Sequence, residues 1–424
     1  MRKITSLFLL LFLFLSCTQQ QTADTYRFTS AEDLGFSANL EQDLDEIFDH
    51  FIEGEKIAGA VAIIARNGQI AVEKAWGWQD RELERPMETH HLFRIASMTK
   101  AVTSLAILQL FEQGLLDFQD PVENFIPDFV NPLVLVHKDE ETGEYETRPA
   151  SRSITIHDLL THTSGIAYNF TRPELASFYE REEIPTIIAE PGETIADAMA
   201  RLGRLPLAHD PGEAYSYGLS TDVLGRVVEV VSGLSLANYF SQNIFEPLGM
   251  NDTGFYLPGR QNDLTAMYSI QNGELVRFSE ESGTLDSNFP VQDNLTYYAG
   301  GAGLTSTARD YFTFLQAILN GGEWNGTRLI NSNTLNYLKT DQMMGIWDDS
   351  DGFSYGFRIT SEAGAAEGLR PPGSLSWGGA FQTTYWIDPA NELVVVLMTQ
   401  VLPSPYSNEI YNRFESAIYS ALVE

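Results

Sequence analysis

Phe93-Arg94-Ile95-Ala96-Ser97-Met98-Thr99-Lys100 leads straight into a run from Ala101 to Leu116 that is apolar on nearly every face. Such a run predicts a helix buried all round, and Gly114 supplies a residue that can end it. Of the six lysines in the chain, only Lys100 stands three residues after a serine. That step on a helix puts both side chains on one face. If Ser97 opens the helix, its backbone N–H is unpaired and free to meet a bound carbonyl. The positive helix end and burial both disfavour a charged lysine there, so a neutral amine is expected, able to take the serine proton. A capping serine beside a surface lysine would give the same letters. The buried helix argues against it, because a lone buried lysine is costly.

The surroundings suggest a sheet. Val61–Ala65 and Ile70–Val72 flank Asn67-Gly68, a strong hairpin signal. Gln382–Ile387 and Leu393–Thr399 are strand-like runs joined by Asp388-Pro389-Ala390-Asn391. Helices are expected near Ser37–Glu53 and over Leu219–Val231, and a last amphipathic one carries Ile410, Phe414, Ile418 and Leu422. Hairpins, not βαβ units, connect the strands, so the pattern is α+β with an antiparallel sheet flanked by helices. Residues 26–135 and 300–424 form the expected sheet domain, and 136–299 a mainly helical inserted region.

Two further segments carry chemistry. In Pro211-Gly212-Glu213-Ala214-Tyr215-Ser216-Tyr217-Gly218-Leu219, a tyrosine placed beside a Ser–Lys pair can relay a proton to a leaving group. With 18 tyrosines in the chain, a core role is equally open on this evidence alone. In Ser376-Trp377-Gly378-Gly379-Ala380, paired glycines inside a strand pattern let another backbone come close. A substrate laid along that edge would use the space, and the Ala380 N–H would join that of Ser97 as an oxyanion hole. A bulge or bend is the plain alternative.

Taken in order and spacing, these three segments resemble the serine β-lactamase and penicillin-binding-protein superfamily, known by its Ser-x-x-Lys signature. Supporting stretches are Ile156-His157-Asp158-Leu159-Leu160-Thr161-His162-Thr163-Ser164-Gly165, Pro247-Leu248-Gly249-Met250 and Gly300-Gly301-Ala302-Gly303-Leu304-Thr305-Ser306-Thr307-Ala308. The likeness runs over about residues 35–420. It is greatest to the class C β-lactamase-like branch, and within that to the family VIII carboxylesterases. It implies a β-lactamase/transpeptidase-like fold, a Ser97 acyl-enzyme, Lys100 and Tyr217 as base and proton relay, and no metal or other cofactor. Leu219 stands where the β-lactamase motif carries Asn, and Trp377 where a cationic side chain helps hold a carboxylate. With Gly378 and Gly379 these are the expected substrate-binding residues, and the two apolar exchanges favour an uncharged ester or amide with hydrophobic groups. A class C-like β-lactamase and a D-amino-acid peptidase or transpeptidase are the enzymatic alternatives. A cell-wall-binding or sensor lipoprotein is the non-enzymatic one, expected to have lost a catalytic side chain.

Composition excludes other classes. Lys and Arg total 26 against 58 acids, a net charge of −32 that repels nucleic acid. There is no Gly-x-Ser-x-Gly elbow and no His-Glu-x-x-His, and His157 and His162 are expected to be structural. Residues 1–17 read as an export signal: Arg2 and Lys3, then nine apolar residues from Leu7 to Leu15, then Ser16 and Cys17. Cys17 is the only cysteine, so no internal disulfide can form. Its position resembles a lipobox, with Phe14 where Leu is usual. The expectation is an exported lipoprotein, anchored to a membrane through Cys17 and a polar tether over 18–25, facing the periplasm or the cell exterior.

Overall fold

The computed structural model describes residues 26–423, apart from 140, 188, 190, 191, 279–288, 291–294, 344, 348 and 349. The export signal, Cys17 and the tether lie outside the described residues. The elements that carry the site are α1 (Leu40–Glu53), β1 (Gly59–Arg66), β2 (Gln69–Asp80), α2 (Thr99–Glu112), α3 (Ser220–Ser232), α4 (Ala308–Leu319), β3 (Leu375–Gly379), β4 (Thr383–Asp388), β5 (Leu393–Met398) and α5 (Ser407–Ala421).

Among the described residues the main sheet has eight strands. Its order is Gly352–Phe353, Arg358–Ile359, β3, β4, β5, β1, β2 and Arg85–Pro86, and each neighbouring pair is antiparallel. Asn67 and Gly68 both take positive φ at the β1–β2 turn, as a tight two-residue connection requires. The register is Val61 opposite Met398 and Ile63 opposite Val396.

β1 is apolar from Gly59 to Ala65 because both its faces are covered. Ala60, Ala62 and Ile64 pack with Leu44, Phe48 and Phe51 of α1 and with Ile410 and Phe414 of α5. Val61, Ile63 and Ala65 belong to the opposite core, with α2 and α4. α2 is buried from Thr99 to Leu110, so its lack of a polar face follows from its place inside the molecule. It ends at Glu112, and Gly114 turns the chain with φ 71°.

The stretch 136–299 holds helices, α3 among them, and also strands. Leu133–Lys138 pairs with Tyr145–Pro149, and Tyr268–Gln271 pairs with Glu274–Arg277. Tyr268 and Leu275 of the second hairpin pack into the core beneath α1 and α5.

Candidate active site

Ser97 lies in a single 3-10 turn, Ala96–Met98, that runs into α2. Ala96, directly before it, has φ 42°, an uncommon conformation for a residue with a Cβ. This turn packs against the end of β3. A Cβ on Gly379 would be driven into the Ile95 carbonyl and the Thr383 hydroxyl. The close approach that the paired glycines allow at this point is therefore made by the nucleophile turn itself. Gly379→Ala should force the two apart, with a stability loss of about 1–3 kcal/mol and a loss of activity larger than the loss of folded protein; thermal denaturation and turnover of the same sample check this.

The outer edge of β3 is open where it matters. The neighbouring short strand covers only Leu375 and Ser376, leaving Trp377–Gly379 unpaired on that side among the described residues. A cavity of about 430 Å³, lined in part by Arg358, Arg370, Trp377 and Gly378, adjoins this edge. Ala380 follows at the exposed turn, and its N–H has no hydrogen bond among the described residues. The Ser97 N–H is in the first turn of its helix, where such groups lack intrahelical partners.

Lys100 is 2 % exposed. Its Nζ donates to Ser97 Oγ at 3.3 Å, to Tyr168 Oη at 3.1 Å and to the Gly301 carbonyl at 2.7 Å. It also lies 4.7 Å from the Tyr217 ring centre. Three acceptors around one amine are the surroundings of an ammonium ion. Burial pulls the Lys100 amine down, but Tyr168, Tyr217 and Asp222 outweigh it and hold it above the usual lysine range. The neutral resting lysine expected from helix position and burial is thus corrected. That reading could not see the oxygens the fold gathers around the amine.

Tyr217 reaches the site from the loop before α3, and its backbone carbonyl accepts the Tyr168 N–H at 3.2 Å. Gly218 is needed here, since a Cβ would run into the Ala167 backbone. The Trp377 indole N–H donates to Tyr217 Oη at 3.4 Å. Leu219 behaves differently from expectation. It is 1 % exposed and packed in the main core, so its side chain fills the interior and does not line the substrate edge.

Three groups escaped the reading of single motifs. Tyr168 stands just beyond His162-Thr163-Ser164-Gly165, Asp222 five residues after Tyr217, and Gly301 in the Gly300–Gly303 run. Gly301 stood inside a superfamily-like stretch, whereas Tyr168 and Asp222 stood three residues past the end of one. His162 also approaches the site more closely than a remote structural residue would, with its ring 4.8 Å from that of Tyr217. Burial and the Lys100 charge hold it well below the usual histidine range, hence neutral. Outside Tyr217 runs an aromatic wall: Trp377 and Phe353 have ring centres 5.4 Å apart, Phe353 and Trp347 5.2 Å, and Trp347 and Tyr215 4.4 Å.

Comparison with known proteins agrees with this geometry. The Beta-lactamase family model matches residues 44–417. The esterase EstB of Burkholderia gladioli is 31% identical over 91% of this chain and 96% of its own. A protein of Penicillium citrinum named ML-236A carboxylate methylbutanoyltransferase is 28% identical over 91% of this chain and 95% of its own. Among solved structures, EstCE1, described as a hydrolase with promiscuous acyltransferase activity, superposes with a TM-score of 0.76 at 25% identity, covering 90% of this chain and 98% of its own. A lysine-centred serine site, an antiparallel sheet between helical layers and a match over most of the chain lead to one conclusion: this protein belongs to the Beta-lactamase family and is an enzyme of the serine-hydrolase type, with esterases and acyltransferases among its relatives.

Proposed function

We propose that the protein is a carboxylesterase acting through a Ser97 acyl-enzyme on uncharged esters with hydrophobic groups, with at most weak turnover of β-lactams. The observation that carries this is the Trp377 indole on Tyr217 Oη at 3.4 Å. At the place where a β-lactamase uses a cation to hold a substrate carboxylate, this site offers an aromatic wall and one neutral N–H donor. An ester needs no carboxylate partner and gains from burial against the rings.

In the reaction, Ser97 Oγ gives its proton to the Lys100–Tyr217 pair and bonds to the ester carbonyl carbon. The competent form is the one in which that pair has already lost one proton. The proton belongs to the pair and not to either residue. The Ser97 and Ala380 N–H groups face the developing oxyanion. The carbonyl–alkoxy bond breaks, the alcohol leaves with the proton from the pair, and water then releases the acid by the same steps in reverse roles. Leu219 stays outside this scheme, and Trp377 positions Tyr217.

Two expected outcomes test the reading. A short-chain nitrophenyl ester and a chromogenic cephalosporin, assayed side by side with Ser97→Ala as the blank, should give fast ester cleavage and little or no cephalosporin cleavage; the reverse ratio makes the protein a β-lactamase. Trp377→Phe keeps the ring and loses the donor, so kcat on the ester should fall about fivefold, as expected for a hydrogen bond of about 1 kcal/mol. An unchanged kcat would remove Trp377 from the account.

We also propose that the chain is exported and held to a membrane by acylation of Cys17, a reading supported by residues 1–17 of the sequence. Cys17→Ser should move the protein from the membrane fraction to the soluble one; equal partition of the two forms would count against the anchor.

A further inference from the structure

A second cavity, of about 550 Å³, lies at the end of the sheet away from Ser97. The Ser97 turn meets the sheet beside Thr383, where β4 begins. β4 then runs to Asp388, about 17 Å further on at the usual rise of a strand, and Pro389, the next residue, lines the cavity. Three turns converge there: Asn67 from β1–β2, Asn325 from the hairpin that pairs Glu323–Trp324 with Thr327–Arg328, and Glu392 from β4–β5. The ends of α4 and of the helix Ser332–Lys339 complete the wall.

The charges in this wall run against the rest of the molecule. Arg27, Lys339 and Glu392 give it a net charge of +1 in a chain of −32. Among the described residues, Arg27, Arg85 and Lys339 are the basic side chains with neither a hydrogen bond nor an ion pair, and two of these three line the cavity. Lys339 is half-buried, and burial alone pulls its amine below the usual lysine range. It has given up hydration and gained no counter-charge in return. The amides are under-used as well. The Asn67 and Asn325 side chains make no hydrogen bond among the described residues; Asn320 and Gln69 each accept one, and their own amide N–H groups donate to nothing. In the same wall Gln316 Oε1 and Trp324 Nε1 are buried without partners. Buried polar groups are seldom left so, and each calls for an explanation.

We infer that this cavity binds a small acidic sugar, a hydroxylated ring carrying one carboxylate or phosphate: Lys339 and Arg27 take the anion, and the amides with Glu392 take the hydroxyls. An inorganic anion would satisfy the two cations, but it is too small to use four amides spread around several hundred cubic ångströms. A neutral sugar would leave the cations unmet. An apolar ligand finds little here beyond Leu319, Trp324 and Pro389. The inference is independent of the chemistry at Ser97, since no residue of that site lines this cavity.

The experiment is isothermal titration calorimetry of the whole protein at low salt, with glucuronate, glucose 6-phosphate, glucose and inorganic phosphate as probes. One site per chain is expected, with at least one of the acidic sugars bound about tenfold or more tightly than glucose and inorganic phosphate, the scale of one charge-assisted hydrogen bond. Lys339→Met keeps the aliphatic stem and should lose that preference, while kcat and KM on a nitrophenyl ester stay at wild-type values. A second measurement needs no variant: acetylation of Lys339 by acetic anhydride, followed by mass spectrometry, should slow in the presence of the bound acidic sugar and not of glucose. No binding of either acidic sugar at millimolar concentration overturns the inference. So does inorganic phosphate binding as tightly as they do, which would make the cavity an adventitious anion site only, and so does wild-type affinity in Lys339→Met. An inactive esterase with intact sugar binding would count against the Ser97 reading and leave this one standing.

Discussion

Ser97→Ala abolishes covalent labelling and lowers ester turnover by at least about three orders of magnitude, the scale seen when a nucleophile is removed from a cooperating set. The fold should be indifferent to the change. Among the described residues the one side-chain hydrogen bond that Ser97 makes is the 3.3 Å contact from Lys100, and Lys100 keeps Tyr168 and the Gly301 carbonyl as acceptors when the hydroxyl goes. The thermal transition of the variant should therefore stay close to wild type. Turnover and differential scanning calorimetry on one preparation check both halves. A variant that keeps full activity contradicts the mechanism, whereas one that loses activity only by unfolding says that Ser97 is structural.

Lys100→Ala costs nearly as much turnover, for a different mix of reasons. Nucleophile and base act as a unit, so the double variant Ser97→Ala/Lys100→Ala should be no slower than either single one. Here stability falls as well. Removing the ammonium leaves the Gly301 carbonyl and Tyr168 Oη without their donor and takes the nearby positive charge from Asp222, and each buried acceptor left unpaired costs about 1–3 kcal/mol. That loss depends on pH. The Asp222 carboxyl is raised in the folded chain relative to an ordinary aspartate, and is raised further once Lys100 is gone. A group raised on folding favours the folded state while it is protonated, and that contribution is lost as the pH rises through its folded value. Lys100→Ala should thus be closest to wild type in stability below about pH 4 and worsen towards neutrality. Denaturant titrations at acid and neutral pH measure it, and a pH-independent deficit would contradict the Lys100–Asp222 coupling.

What the sequence made legible and what it hid have physical explanations. Periodicity found α1, α2, α3 and α5 to within a few residues, and turn chemistry found the β1–β2 and β4–β5 hairpins, because these depend on neighbours along the chain. Ser97 and Lys100 could be paired from a helical step alone. The charge state of Lys100 could not, since it is set by Tyr168, Tyr217, Asp222 and Gly301, which arrive from other segments. The same limit applies to Leu219. Its place in a motif pointed to the substrate, while its side chain turned into a core that only tertiary packing defines. Gly379 shows the converse. A close approach was readable from the paired glycines, but the identity of the approaching backbone, Ile95, was not.

The most direct measurement of the central claim is mass spectrometry of the protein quenched during turnover of a nitrophenyl ester. An added acyl mass is expected on the peptide that carries Ser97, absent from Ser97→Ala. Steady turnover with no acyl group on that peptide, or an acyl group on another residue, would contradict it.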